Sequence, residues 1–295
     1  MSYREIESAI ELIEQNGSLD KEENFVARVE ALDFIEFHIL DRIEGLLLND
    51  RGKDLETLRQ RAESLKNRLE KVNEKLFQRL RATIRAGCYT CEDLRRQFYN
   101  YAGCASEENE IGYDALDIFV NDLLRIDLAL EETREKEPDM VFLQPTPARV
   151  VLELVEKVDL TEKDVFYDLG SGLGQVAILV GLFSGARAKG IEFEPAYCAY
   201  AQRCAARLNL SRVEFMNLDA READYSDGTV FFMYTPFRGS MLQNVLERLR
   251  SESRKRAITI CTYGPCTPRV ADQDWLRCVG QLPEHEYGLA MFRSG

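Results

Sequence analysis

The chain has 295 residues and a net charge of −13, from 51 acidic and 38 basic side chains, with 45% hydrophobic residues. That length suggests about two domains, and the apolar share is ordinary for a globular chain. The acidic balance argues against gripping a polyanion through broad charge attraction, so no nucleic-acid partner is expected.

The N-terminus, MSYREIESAIELIEQNG, is amphipathic and acidic and lacks the apolar stretch of a signal peptide. No run approaches the ~18 uncharged residues of a membrane span. A cytoplasmic protein without membrane contact is therefore expected. The eight cysteines are scattered, mostly within apolar patterns, and read as reduced thiols used as small hydrophobes.

Residues 1–137 have a helical pattern almost throughout and are expected to form an all-α domain. Phe25, Val29, Leu32, Ile39, Ile43 and Leu46 give one apolar stripe. Leu55, Leu58, Ala62, Leu65, Leu69, Val72 and Leu76 give a second, with spacings that alternate three and four as in a heptad seam. Between them NDRGK, Asn49 to Lys53, reads as the turn of a helical hairpin. The seam is expected to face the bundle's own core; both a monomer and a dimer through the helical domain remain open. Cys88, Cys91 and Cys104, with His38 far upstream, fall short of a convincing four-ligand zinc site, so no metal is expected. A third helix is expected from Tyr113 to about Glu135, ended by Pro138.

From 138 to 295 short apolar runs alternate with helical stretches. Strands are expected at Val165 to Tyr167, Ala188 to Phe193, Val213 to Met216, Val230 to Tyr234, Ala257 to Thr262 and Gly288 to Phe292. Helices are expected at Gly174 to Ser184, Pro195 to Leu208 and Gly239 to Leu249. This alternation implies an α/β domain with a doubly wound, mainly parallel sheet. The basic run Arg248, Arg250, Arg254, Lys255, Arg256 reads first as a solvated turn.

The loop after the first of these strands reads Asp168-Leu-Gly170-Ser171-Gly172-Leu-Gly174-Gln175. In a doubly wound sheet, ligands bind at the carboxyl ends of the strands near the switch point. A glycine loop alone is a weak sign, shared with dinucleotide folds. An acid directly before the loop would repel a pyrophosphate and suits a ligand with a positive amino group. Glu192, at the end of the second strand, is placed to accept from ribose hydroxyls. Asp219, with Ala220 beside it, ends the third strand and is placed to accept from an adenine amine. Acids at three successive strand ends, for an amino-acid group, a ribose and an adenine, describe S-adenosylmethionine.

The stretch TPARVVLELVEKVDLTEKDVFYDLGSGLGQVAI, residues 146–178, resembles the disruptor-of-telomeric-silencing family of class I methyltransferases, the non-SET histone lysine methyltransferases. The resemblance covers about residues 140–295. It implies that Thr146, in QPTP, helps close over the methionine part of the cofactor. It also implies that Gln175 belongs to the cofactor loop, and it supports Glu192 and Asp219 as ribose-side and adenine-side acids. Where the family carries an asparagine after the fourth strand, this sequence reads MYTPF, Met233 to Phe237. Tyr234 and Phe237 are accordingly expected at the acceptor pocket, with Tyr263 and Tyr287 as further candidates. The expected function is methyl transfer to a protein lysine or a small molecule. A cofactor-binding scaffold without catalysis and a nicotinamide dehydrogenase are the rival readings.

Overall fold

In the computed structural model the described residues are 1–48, 53–102, 113–126 and 129–295. They divide into two compact units: Met1–Ala82 with Gln97–Ala105, and Thr83–Arg96 with Ser106–Gly295.

The first unit is helical. Helix α1 (Tyr3–Gln15) begins where the Ser2 N–H donates to the Glu5 carboxylate at 2.6 Å, so an acid offsets the exposed amides of the first turn. Helix α2 (Phe25–Asp33) passes through a π-helical stretch, Phe34–Leu40, into α3 (Asp41–Leu47). Ile35, Ile39 and Ile43 form its apolar side. They recur every four residues from the π stretch into α3, and all three are fully buried.

Helix α4 (Lys53–Arg85) carries the heptad seam. Leu58, Ala62, Leu65 and Leu69 pack with Ile6, Ile10, Ile35, Ile39 and Ile43, so the seam is filled from within the chain. Arg28 is fully buried beneath this bundle. Its Nε donates to Asn73 Oδ1 at 2.6 Å and its Nη1 to the carbonyls of Leu19 and Lys21 at 3.0 and 2.7 Å. The expected hairpin turn at 49–52, and Cys104, lie outside the described residues. Helix α5 (Cys91–Ala102) follows.

In the second unit helix α6 spans Ala115–Leu124, about ten residues shorter than expected. Arg125 adopts a left-handed conformation (φ 55°), and its N–H and that of Ile126 close back on the Asn121 carbonyl. That cap ends the helix well before Pro138. The expected boundary at 137/138 consequently falls inside this unit, because α6 packs on α7 (Ala148–Val158).

Among the described residues, seven strands form one sheet: β1 (Val165–Leu169), β2 (Arg187–Glu192), β3 (Val213–Asn217), β4 (Val230–Met233), β5 (Thr259–Thr262), β6 (Leu276–Cys278) and β7 (Ala290–Ser294). Their order is β3-β2-β1-β4-β5-β7-β6. Strands β1 to β5 run parallel, and β7 runs antiparallel to β5 and β6. Helices α8 (Gln175–Ser184), α9 (Pro195–Arg207), α10 (Gly239–Ser253) and α11 (Thr267–Ala271) supply the connections. All five residues of β1 are buried, as a strand covered on both faces requires. Strand β6 was not expected: three residues, Leu-Arg-Cys, carry no readable period. The sheet reverses direction at β1, which pairs with β2 on one side and β4 on the other, so the crevice opens between the ends of β1 and β4.

Candidate functional site

The loop after β1 turns three times through positive φ: Gly170 at 79°, Gly172 at 52° and Gly174 at 86°. The glycines are needed for the protein's own packing. A Cβ on Gly170 would sit 2.3 Å from Cβ of Pro236, in the loop after β4. A Cβ on Gly174 would lie 2.6 Å from both Ala201 Cβ and the Phe215 ring. The loop is thus pressed between the β4 loop on one side and α9 with β3 on the other.

Four of its amides are already committed. The N–H groups of Gly170 and Ser171 donate to the Ile191 carbonyl at 2.9 and 3.0 Å, and that of Gly174 to the Ser171 carbonyl at 2.8 Å. The Gly172 N–H donates to Glu192 Oε2 at 2.7 Å. Phosphate cradles depend on such amides being free to meet an anion. Here the loop instead holds a carboxylate, which disfavours a pyrophosphate and with it the dehydrogenase reading.

Two buried acids set the electrostatics. Asp168, the fourth residue of β1, is 3% exposed. Burial, followed by the neighbouring Glu192 charge, pushes its pKa up to about 8, opposed by a bond from the Ala177 amide. Glu192, at the end of β2, is raised chiefly by burial, although amides of Glu194 and Gly172 support its ionised form. Its Oε1 accepts from the Glu194 N–H at 2.7 Å. A carboxylate has about four acceptor sites, so Glu192 retains room for a further donor beside the amides of Gly172, Phe193 and Glu194. Two adjacent buried carboxylates without a cation form a field that a positive ligand relieves.

Around this pair one cavity collects most of the expected residues. Thr146, Asp168, Gly170, Ser171, Gly172, Gln175, Glu192, Asp219, Ala220, Tyr234 and Phe237 all line it. Gly174 does not; it is packed behind. The Ser171 hydroxyl is buried without a hydrogen-bond partner. At the β3 end, Asp219 is held below the usual carboxylate range by Arg221, whose Nη2 lies 2.6 Å from it and 2.6 Å from Glu137. Asp219 is therefore engaged at its edge by a guanidinium, a feature its sequence position did not reveal.

Residues the sequence reading missed complete the wall. The segment 129–137 is not helical; it runs beside β2, where the Thr133 hydroxyl and the Arg134 amide donate to Glu194 at 2.5 and 2.9 Å. Farther on, Val141 N donates to the Pro236 carbonyl at 3.1 Å, and Met140 bridges Phe237. Asp139 caps α10 by accepting from Ser240 N and Oγ at 3.1 and 3.0 Å. The Leu-Gln-Pro-Thr segment is thereby led across the cavity from the β4 loop. No periodic pattern announces such a segment.

At the β4 end Tyr234 is half-buried, and its ring meets Tyr263 edge-on at 4.8 Å. Tyr263 meets Tyr287 at 5.9 Å. Tyr263 is 1% exposed, and its hydroxyl has no hydrogen-bond partner. Phe237 is 4% exposed and packs in the core beneath α10 as well as lining the cavity. Thr235 between them holds a left-handed backbone (φ 40°), fixed where its Oγ1 donates to the Tyr263 carbonyl and accepts from Cys266 N. Most of the basic run at the end of α10 and just past it has internal partners: Arg248 bonds the Ala223 carbonyl, Arg250 pairs with Asp274, and Lys255 and Arg256 pair with Glu252.

Residues 145–240 match the family model described as histone methylation protein DOT1. No curated protein gives a significant match to the chain. Among solved structures, an RNA methyltransferase from Salinibacter ruber with S-adenosyl-L-homocysteine is 32% identical over 51% of this chain and 92% of its own, at a TM-score of 0.40. A precorrin-6y C5,15-methyltransferase from Geobacter metallireducens is 18% identical over 53% of this chain and 93% of its own, at 0.39. A tRNA (uracil-54, C5)-methyltransferase from Pyrococcus abyssi, also with S-adenosyl-L-homocysteine, is 20% identical over 52% of this chain and 39% of its own, at 0.37. The strand order with its antiparallel β7, the glycine loop that holds an acid, and the family match agree: the chain is a class I S-adenosylmethionine-dependent methyltransferase, similar to the DOT1 family model over residues 145–240.

Proposed function

We propose that the protein transfers a methyl group to an acceptor that enters beside Tyr234 and Phe237. The acceptor is an amine, carried by a protein lysine or a small molecule. The observation that carries this reading is the pair of buried carboxylates, Asp168 and Glu192, around a loop four of whose amides are committed. When bound, S-adenosylmethionine supplies a methyl group already activated on a positive sulfur.

The chain's part is to bind, orient and exclude water. Asp168 faces the ligand's ammonium, with Gly170, Ser171, Gly172 and Gln175 shaping the floor. The remaining lone pairs of Glu192 take ribose hydroxyls. Asp219 and Ala220 border the adenine, and Thr146 covers the methionine end. Tyr234 and Phe237 wall the acceptor, and the buried, unpartnered Tyr263 hydroxyl behind Tyr234 is a donor held ready for it. The DOT1 match supports a lysine, while the net charge of −13 supports a small or cationic acceptor over a polyanion.

Calorimetry with S-adenosylhomocysteine and with NAD tests the cofactor half. Binding of the first alone is expected; binding of NAD alone would sink it. Tritiated-methyl transfer across protein and metabolite fractions tests the other half, and no labelled product from any fraction would favour a scaffold.

A further inference from the structure

Three residues outside the cavity wall reach the segment that carries Thr146. The Tyr113 hydroxyl donates to the Pro145 carbonyl. Asp114, at the N-cap of α6, pairs with Arg149. Asp117, three residues on, is 2% exposed and divides its carboxylate between two helices. One oxygen accepts from the Asp114 N–H at 2.8 Å and the other from the Ala148 N–H at 2.8 Å, at the first turn of α7. The bonds land at 145, 148 and 149, on both sides of Thr146. A helix start needs some acceptor for its first amides, and a Ser, Thr, Asp or Asn at the cap commonly provides it. The N-cap position of α7 is Pro147, which has no such side chain, so the acceptor comes from α6.

From this geometry we propose that Tyr113 and Asp117 are positioning residues for the cofactor: they fix the 145–149 segment so that Thr146 stands over the methionine end. The proposal rests on the assignment of Thr146 to the cofactor site.

The test is S-adenosylhomocysteine affinity by calorimetry for Tyr113→Phe, Asp117→Asn, Thr146→Val and the Tyr113→Phe/Thr146→Val double variant, with thermal midpoints alongside. Tyr113 is 58% exposed, so its phenylalanine variant keeps the fold. Loss of one neutral hydrogen bond predicts an affinity about fivefold lower for Tyr113→Phe with an unchanged midpoint. The double variant should be no weaker than Thr146→Val alone, because both act through one segment. Amide exchange should quicken at 143–149 in both clamp variants. Affinities within twofold of wild type for Tyr113→Phe and Asp117→Asn, with Thr146→Val impaired, overturn the proposal. Additive losses in the double variant overturn it too. If Thr146→Val itself binds normally, the site assignment has failed and the clamp falls with it.

Discussion

Asp168 is an acid that the empty protein would rather keep protonated. Its folded pKa, pushed up to about 8 by burial and by Glu192, lies above its unfolded value. The native state therefore binds more protons than the unfolded chain between roughly pH 4 and pH 8. Its contribution to stability is complete below that window and is lost as pH rises through it. Ligand binding has the opposite sign, because a cationic ammonium prefers the ionised acid. Affinity for S-adenosylhomocysteine should rise from pH 6 to pH 8 with proton release on binding, read as a buffer-dependent calorimetric enthalpy. A flat profile would place Asp168 away from the ammonium. Asp168→Asn should weaken binding by about 10- to 100-fold, the worth of a charge-assisted hydrogen bond. The same substitution should raise the melting temperature of the ligand-free protein at pH 8. Tyr263→Phe is the matching test on the acceptor side. It removes an orphaned buried donor, so stability should hold or improve while the acceptor KM rises and cofactor affinity stays constant.

Among the elements, the β1 loop has the least tolerance. Gly174 combines φ of 86° with a blocked Cβ position against Ala201 and Phe215. Gly174→Ala should destabilise by about 2–4 kcal/mol in denaturant unfolding, since strain and overpacking add. A loss under 0.5 kcal/mol would contradict the packing described. In α4, Leu69 is fully buried in the seam, and Leu69→Ala should remove about 2–5 kcal/mol from the helical unit. Legibility followed the same logic. Strands β1 to β5 and helices α8 to α10 were readable within a few residues because apolar runs fix them. Eleven of the fourteen expected site residues line one cavity, because strand-end acids and glycines are dictated by the sheet; Gly174, Tyr263 and Tyr287 do not line it. The end of α6 at Leu124 was missed because a left-handed Arg125 replaces the usual glycine. The π-helical stretch was missed because spacings of four look α-helical. The Arg221 partner of Asp219, and the clamp from α6, depend on tertiary neighbours that no local period encodes.

For the molecule as a whole, the charge is the main constraint on partners. With a net −13 and the α10 arginines paired internally, duplex DNA or RNA at ~150 mM salt should show no micromolar binding in a retardation assay. Micromolar retention would overturn this expectation. Among the described residues no helix is long and apolar enough to cross a membrane.

The contact between Gly170 and Pro236 reaches into sequence space. One residue belongs to the loop after β1 and the other to the loop after β4, yet neither can grow without the other shrinking. Gly170→Ala alone should cripple both binding events, and Pro236→Gly should partly restore them, leaving only the backbone strain of a positive φ. Libraries built to vary the β4 loop would therefore meet epistasis at this pair: diversity at 236 is bounded by the residue at 170. Descendants with a changed acceptor should still carry a small side chain at one of these two positions.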